Sequence, residues 1–349
     1  MISSSLSQRN YALDWIKGLL MIVIVVYHSF LVPAFRHGYL AVDLFFPICG
    51  FFLMRSFCVK PTTAVLYTWS RVKKFYLPFL ICFVFSCILR FRRLTTFPNF
   101  DSFLEKYAQF AYSFTLSEEI GPRVMSEHIL QGSWFLSVML IAGFLMYGML
   151  EYKKELATRI LFPAIYILGF TLIFTYGPQV ASWDRVGAIS LPLLRGLSGM
   201  VSGALIYDIF HGYKESVERR SILINLASVI SFVLFIALIF TEKDLDLYVL
   251  PTIPWILLGA IINGSWFNRL LSHFKGGIMG LIGRNTIYLL FAHPPCILLV
   301  NWTNEHLLNN SMSNLIHLFL DIVLSAIGTI VLYYVCRMLR EKNGRKGTL

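Results

Sequence analysis

The sequence predicts an all-α, polytopic membrane bundle of about ten transmembrane helices with both termini on the cytoplasmic side. Three observations carry that prediction. Of the 349 residues, 57% are hydrophobic and 14% charged, against about 25% charged in soluble proteins. Apolar stretches near the twenty or so residues that cross a bilayer recur along the whole chain. Basic residues crowd alternate connections, as the positive-inside rule requires.

The first apolar run extends from about Leu13 to Ala34. It is long enough to span and lacks a small-residue cleavage site, so it is expected to stay as the first helix. Further segments are expected over Tyr39 to Phe57, Phe75 to Leu89, Ser133 to Leu150, Ile160 to Tyr176, and Ser190 to Phe210. The remaining four cover Ile222 to Phe240, Tyr248 to Phe267, Ile278 to Trp302, and Asn314 to Met338. The third is short, and the eighth contains Pro251 and Pro254.

With a cytoplasmic N-terminus, 21 of the 30 Lys and Arg residues fall on inner segments. The net charge of +11 therefore reads as a topology signal. Membrane lipids, not nucleic acid, are the expected surroundings. The six cysteines have neither metal-ligand spacing nor a disulfide framework, and read as small apolar residues of membrane helices. No polar stretch is long enough to bury a core of its own, so residues 1–349 are expected to form one integral-membrane domain. A long outer loop, about 90–132, has mixed charge and reads either as a lid over an outward-facing site or as a plain connection. The basic tail, about 340–349, is expected to be cytoplasmic and frayed.

Ionisable groups inside spanning helices are costly, so each is a functional candidate. Lys17 and His28 are eleven residues apart. That spacing returns to one face of a helix after about 16 Å of rise. A cation at the inner mouth and a deep imidazole on one stripe suit an elongated anionic substrate, with His28 as a general base. A buried histidine bonded to a neighbouring helix and a snorkelling lysine fit the same spacing. Asp14, one turn before Lys17, is placed to pair with it.

Asp43 opens the second segment. It reads as a carboxylate partner for His28, by the logic of triads, or as a helix cap. Gly50 would permit close helix approach. Arg71 and Lys74, three apart in the inner loop before the third segment, could grip phosphates or simply mark the inner face. His293 precedes two prolines, which are expected to break the ninth segment; a break at membrane depth is tolerated where it lines a cavity, so His293 reads either as a site residue or as part of a simple kink.

Together these segments resemble the membrane-bound acyltransferase family often called acyltransferase three, which includes surface-polysaccharide O-acetylases. Its first helix carries Leu-Asp, then a basic residue, ten residues and histidine; here these are Leu13-Asp14, Lys17 and His28. Its Gly-Val-Asp-Leu-Phe-Phe signature appears as Ala41 to Phe46, followed by Gly50-Phe51. Its Trp-Phe-Leu appears as Trp134-Phe135-Leu136, and its late Tyr and His-Pro as Tyr288 and His293-Pro294. Lys17 stands where many members have arginine, as in a branch similar to fucose O-acetylases. The family's Arg-x-x-Arg is Arg71-Val-Lys-Lys74. Lysine keeps the charge but loses the bidentate fork.

The resemblance implies a multi-pass protein of the bacterial inner membrane. Its reaction would move an acyl group, usually acetyl, from cytoplasmic acetyl-CoA to a hydroxyl of a surface glycan such as O-antigen, or of its lipid-linked precursor, without a metal. Lys17, Arg71 and Lys74 would hold the CoA phosphates. His28, with Asp43, would carry the chemistry, either deprotonating the hydroxyl or first accepting the acyl group. Asp14, Trp134, Tyr288 and His293 would support the site or meet the acceptor. A glycan or lipid transporter or flippase and a glycan polymerase are the rival readings.

Overall fold

The computed structural model describes residues 9–346, apart from 92–94, 97, 121–127, 177–184, 187–188, 213–220, 242–250, 263–264 and 275–276. The chain is a helical membrane bundle. Among the described residues, the only strands are a two-residue antiparallel pair, β1 (Arg185–Val186) and β2 (Ile189–Ser190).

Helix α1 (Tyr11–Ser29) starts where the Asn10 side chain accepts the Leu13 N–H, and α3 (Ala64–Leu89) starts at Thr63 in the same way. Both caps supply an acceptor to an otherwise orphaned first-turn donor. Between them lies α2 (Leu40–Val59). Helix α3 begins at Ala64, ahead of the third expected segment, which starts at Phe75. The basic stretch from Trp69 to Lys74 is not a loop but the first half of α3. Its cations are carried along a helix wall.

Helix α4 (Phe100–Thr115) lies within the long outer loop. It packs along α3, with Phe110 and Phe114 against Phe83, and Phe114 also against Tyr76. The chain then turns into the bundle, where Glu118 and Glu119 are buried. Arg123 and Glu127 of this loop lie outside the described residues. The loop thus enters the wall of the bundle, where aromatic contacts and buried carboxylates hold it.

The fourth and fifth predicted segments, α5 (Ser133–Leu156) and α6 (Phe162–Tyr176), join through a kink at Lys153 and a π turn at Ala157–Leu161. Next come α7 (Leu191–Gly212) and α8 (Ser221–Ile239). The eighth predicted segment is interrupted: α9 (Ile253–Ile261) has nine residues and a separate helix α10 (Trp266–His273) follows. At about 1.5 Å per residue α9 alone cannot cross a bilayer; residues 242–250 of that segment lie outside the described ones. Eight described stretches are long and apolar enough to cross. The one from Ser133 to Thr175 holds two predicted segments, so nine of the ten are accounted for.

The ninth segment breaks, but not at its prolines. It divides at Asn285 into α11 (Ile278–Arg284) and α12 (Thr286–His306), and Pro294 and Pro295 sit inside α12. Tight packing against α13 (Asn314–Lys346) and α3 holds that turn despite its missing donors. The His293 ring returns one hydrogen bond to the same turn, at the Leu289 carbonyl. The basic tail is helical as far as Lys346; residues 347–349 lie outside the described ones.

Two close helix contacts set the geometry around α1 and α2. A Cβ on Gly50 would overlap the Met200 carbonyl, and one on Gly203 would overlap the Pro47 carbonyl, so α2 and α7 meet backbone to backbone. Gly18 against Met279 and Gly283 against Asp14 lock α1 to α11 in the same manner. Small residues permit such approach where lipid supplies no hydrophobic drive between helices.

Candidate active site

One cavity of about 1430 Å³ runs through the bundle. Lys17 at the start of α1 and His28 at its end both line it. Eleven residues of helix separate their depths by roughly 16 Å. Helices α1 and α2 follow each other with a short turn, so the end of α2 returns to the depth of Lys17. Arg55 and Lys60 line the cavity there, as do Arg71 and Lys74 from the start of α3. The inner end is therefore ringed by five cations. Arg36, Tyr39, Arg195 and His128 line the opposite end, with His28.

Lys17 is held by Asp14, 2.8 Å away, and Asp14 also accepts Arg9 Nε at 2.6 Å. The pairing anticipated from their spacing is present, and it orients Lys17 while leaving its side chain partly exposed. Arg71 lies over the Tyr67 ring at 4.9 Å, and that ring stacks on Tyr147 at 4.5 Å. A guanidinium on an aromatic face is positioned without being neutralised.

The other end centres on two histidines. His28 Nδ1 lies 3.0 Å from His293 Nε2, with the rings inclined by 10°. His293 is fully buried, and its Nδ1 lies 2.9 Å from the Leu289 carbonyl. A carbonyl can only accept, so His293 carries its proton on Nδ1 and presents a bare Nε2. His28 must then donate from Nδ1. Its own Nε2 is left as a lone pair on a ring that faces the cavity. That tautomer is the one a general base or nucleophile needs.

Asp43 is not the partner of His28. Its carboxylate takes both the Nε and Nη2 of Arg195, at 2.6 and 2.5 Å, in a buried bidentate pair that bridges α2 and α7. The fork geometry of arginine matches a carboxylate better than an imidazole does, so Asp43 orients a cation. Arg195 also lies over the Tyr39 ring at 5.6 Å.

Trp134 lines the cavity and stands edge-on to Phe46 and Phe135. Tyr288, expected near the acceptor, instead packs edge-on against Tyr333 between α12 and α13, away from the cavity wall. Its spacing from His293 places it more than a helical turn toward the inner side, on the face α13 covers.

Arg195, His128, Arg55 and Lys60 belong to the wall but were not singled out in the sequence. Arg195 carried a usable signal, an arginine inside an apolar run. Arg55 and Lys60 lie in a basic connection that the positive-inside rule accounts for by itself. His128 sits in the long loop, where only folding shows that it reaches the cavity. It lies 3.3 Å from Glu118, which also accepts the Ser113 and Ser133 hydroxyls.

The family model described as an acyltransferase domain matches residues 10–337. No curated protein and no solved structure is significantly similar to the chain.

Proposed function

The chain belongs to the acyltransferase-three family, and on that premise we propose that it carries an acetyl group from cytoplasmic acetyl-CoA to a hydroxyl of a surface glycan or its lipid-linked precursor. It is an integral membrane acyltransferase; the proposal adds the acetyl donor, the glycan acceptor and a bacterial inner-membrane location. Membership of this family sets aside a transporter or a polymerase. One observation carries the proposal. A single cavity has a ring of cations at the inner end and, about 16 Å of helix rise away, an imidazole with a free Nε2.

The cations fit a donor rich in phosphate. Lys17, Arg71 and Lys74, with Arg55 and Lys60, would hold the nucleotide end of CoA at the cytoplasmic mouth. The slender pantetheine arm would then lie along the apolar wall formed by Met21, Ile24, Ile48 and Phe52, bringing the thioester to His28. His28 Nε2 takes the proton of the acceptor hydroxyl as its oxygen attacks the thioester carbonyl. The C–S bond breaks, and the imidazolium returns the proton to the departing sulfur. His293 steadies the imidazolium by accepting from His28 Nδ1. An acyl-histidine step would use the same Nε2, with the acceptor arriving second.

The test is to delete the gene and compare the mass of the host's surface glycan with the wild type. Loss of one acetyl mass per modified unit, restored by the wild-type gene and not by His28→Ala, is the expected result. Unchanged acetylation would overturn the reading.

A further inference from the structure

The proposal concerns the acceptor and rests on the acyl-transfer reading above. Seven Lys and Arg residues and two histidines line the cavity, and no Asp or Glu does so among the described residues. The cations at its inner end are accounted for by a phosphate-rich donor. Those at the outer end are not. Arg36, Arg195 and His128 line that end, on the face of the membrane where positive charge is expected to be scarce. The outer loop 90–132 is itself balanced, with five basic and five acidic residues, so the mouth is not basic merely because its surroundings are.

The counter-charges are arranged behind the wall. Asp43 grips Arg195 from the protein side, and Glu118 lies behind His128; both carboxylates are buried and neither lines the cavity. What a ligand meets is therefore the guanidinium and the imidazole, each fixed in direction. Burial lowers the affinity of the His128 ring for a proton, but Glu118 and then Glu119 outweigh it, against Arg90, and the net shift is upward. A line of rings joins this cluster to the catalytic imidazole. Arg195 covers Tyr39, Tyr39 meets Tyr27 at 6.0 Å, and Tyr27 meets His28 at 5.4 Å.

We propose that the outer mouth is a subsite for an anionic acceptor, in which Arg36, Arg195 and His128 hold a carboxylate or phosphate of the glycan while Tyr39 and Tyr27 flank the sugar next to His28. The same chemistry would recognise an acidic sugar or the sugar phosphate of a carrier-linked precursor. Charge-assisted contacts of this kind are the strong polar ones available to a sugar-binding site.

The experiment uses the full chain in lipid nanodiscs with saturating CoA, so that the inner cations are occupied. Calorimetric titration compares three probes: glucose, glucuronate and glucose 1-phosphate. At least one anionic probe should bind tenfold or more tightly than glucose, and which one does so separates a sugar carboxylate from a sugar phosphate. Arg36→Gln, on an exposed turn, and His128→Gln should each remove most of that preference while CoA affinity stays unchanged; Arg36→Lys should restore part of it. Equal binding of all three probes, no probe binding while CoA still binds, or an anion preference that survives both substitutions would overturn the subsite. Failure of CoA itself to bind would instead remove the donor reading on which the subsite rests.

Discussion

His28 Nδ1 and His293 Nε2 face each other across 3.0 Å, from the end of α1 and the middle of α12. The pair converts an ambiguous imidazole into one with a defined tautomer. Its free nitrogen points into a cavity that also reaches the inner cations.

Removal of the His28 ring should remove the chemistry. His28→Ala is expected to lower acyl transfer by about a hundredfold or more, the usual contribution of a positioned general base. The ring lies at the end of α1 and is partly exposed to the cavity, so the protein should still reach the membrane. Thiol release from acetyl-CoA, compared at matched protein level, reads the effect.

His293 should act through His28 as a positioning residue. His293→Leu leaves the His28 Nδ1 proton without an acceptor and frees the ring to rotate. We expect kcat to fall about tenfold or more with little change in KM for acetyl-CoA. His293→Gln supplies a carbonyl acceptor and should recover part of the rate. Equal loss in both variants, together with poor folding, would make His293 a packing residue only.

The inner cations should report on the donor alone. Arg71→Ala combined with Lys74→Ala is expected to raise KM for acetyl-CoA about tenfold or more, since charge-assisted phosphate contacts contribute most among polar ones. KM for the acceptor should stay within about twofold. A change confined to the acceptor would reverse the assignment of the cavity's two ends.

Helix contact at α2 and α7 should tolerate no side chain. The Cβ of Gly50→Ala would overlap the Met200 backbone carbonyl, which cannot swing aside as a side chain could. Overpacking of this kind costs about 1–3 kcal/mol. A lowered unfolding temperature in detergent, with activity falling in parallel, is the expected result. Gly148→Ala, where the nearest atom is the Ala64 Cβ at 4.0 Å, should be close to neutral.

The His128 ring should couple stability to pH. Burial lowers its proton affinity, but Glu118 and Glu119, against Arg90, together outweigh it and raise the affinity in the folded protein. Its contribution is then fully present below its unfolded value, about 6.5, and is lost as pH rises through the higher folded value. The wild type should exceed His128→Gln in melting temperature at pH 6, and the gap should narrow by pH 9. A gap that widens with pH would mean that the Glu118 pairing does not favour the protonated ring.

Several candidate site residues are legible in the sequence because helix periodicity is local. Lys17, Asp14 and His28 share one stripe whatever α1 packs against. Arg71 and Lys74 were legible as a pair, although their helix was not, because cations in an otherwise apolar stretch lower its hydropathy and mimic a loop. The double proline misled for a related reason. Local rules count the lost donors of Pro294 and Pro295 as a break, while the contacts of α12 with α13 and α3 hold the helix through them.

Pairings between segments had no such local trace. Asp43 could have served His28 or a helix start, and its actual partner, Arg195, lies 152 residues away. His293 and His28 are 265 residues apart. Composition, apolar run length and the distribution of Lys and Arg determined that this chain is a multi-pass helical membrane protein, because bilayer insertion is decided segment by segment. Which acid meets which base, and which nitrogen of His28 is left free, was decided only when glycine-lined contacts brought α1, α2, α7 and α11 within backbone distance, since hydrogen bonds are set by ångströms that no single helix specifies.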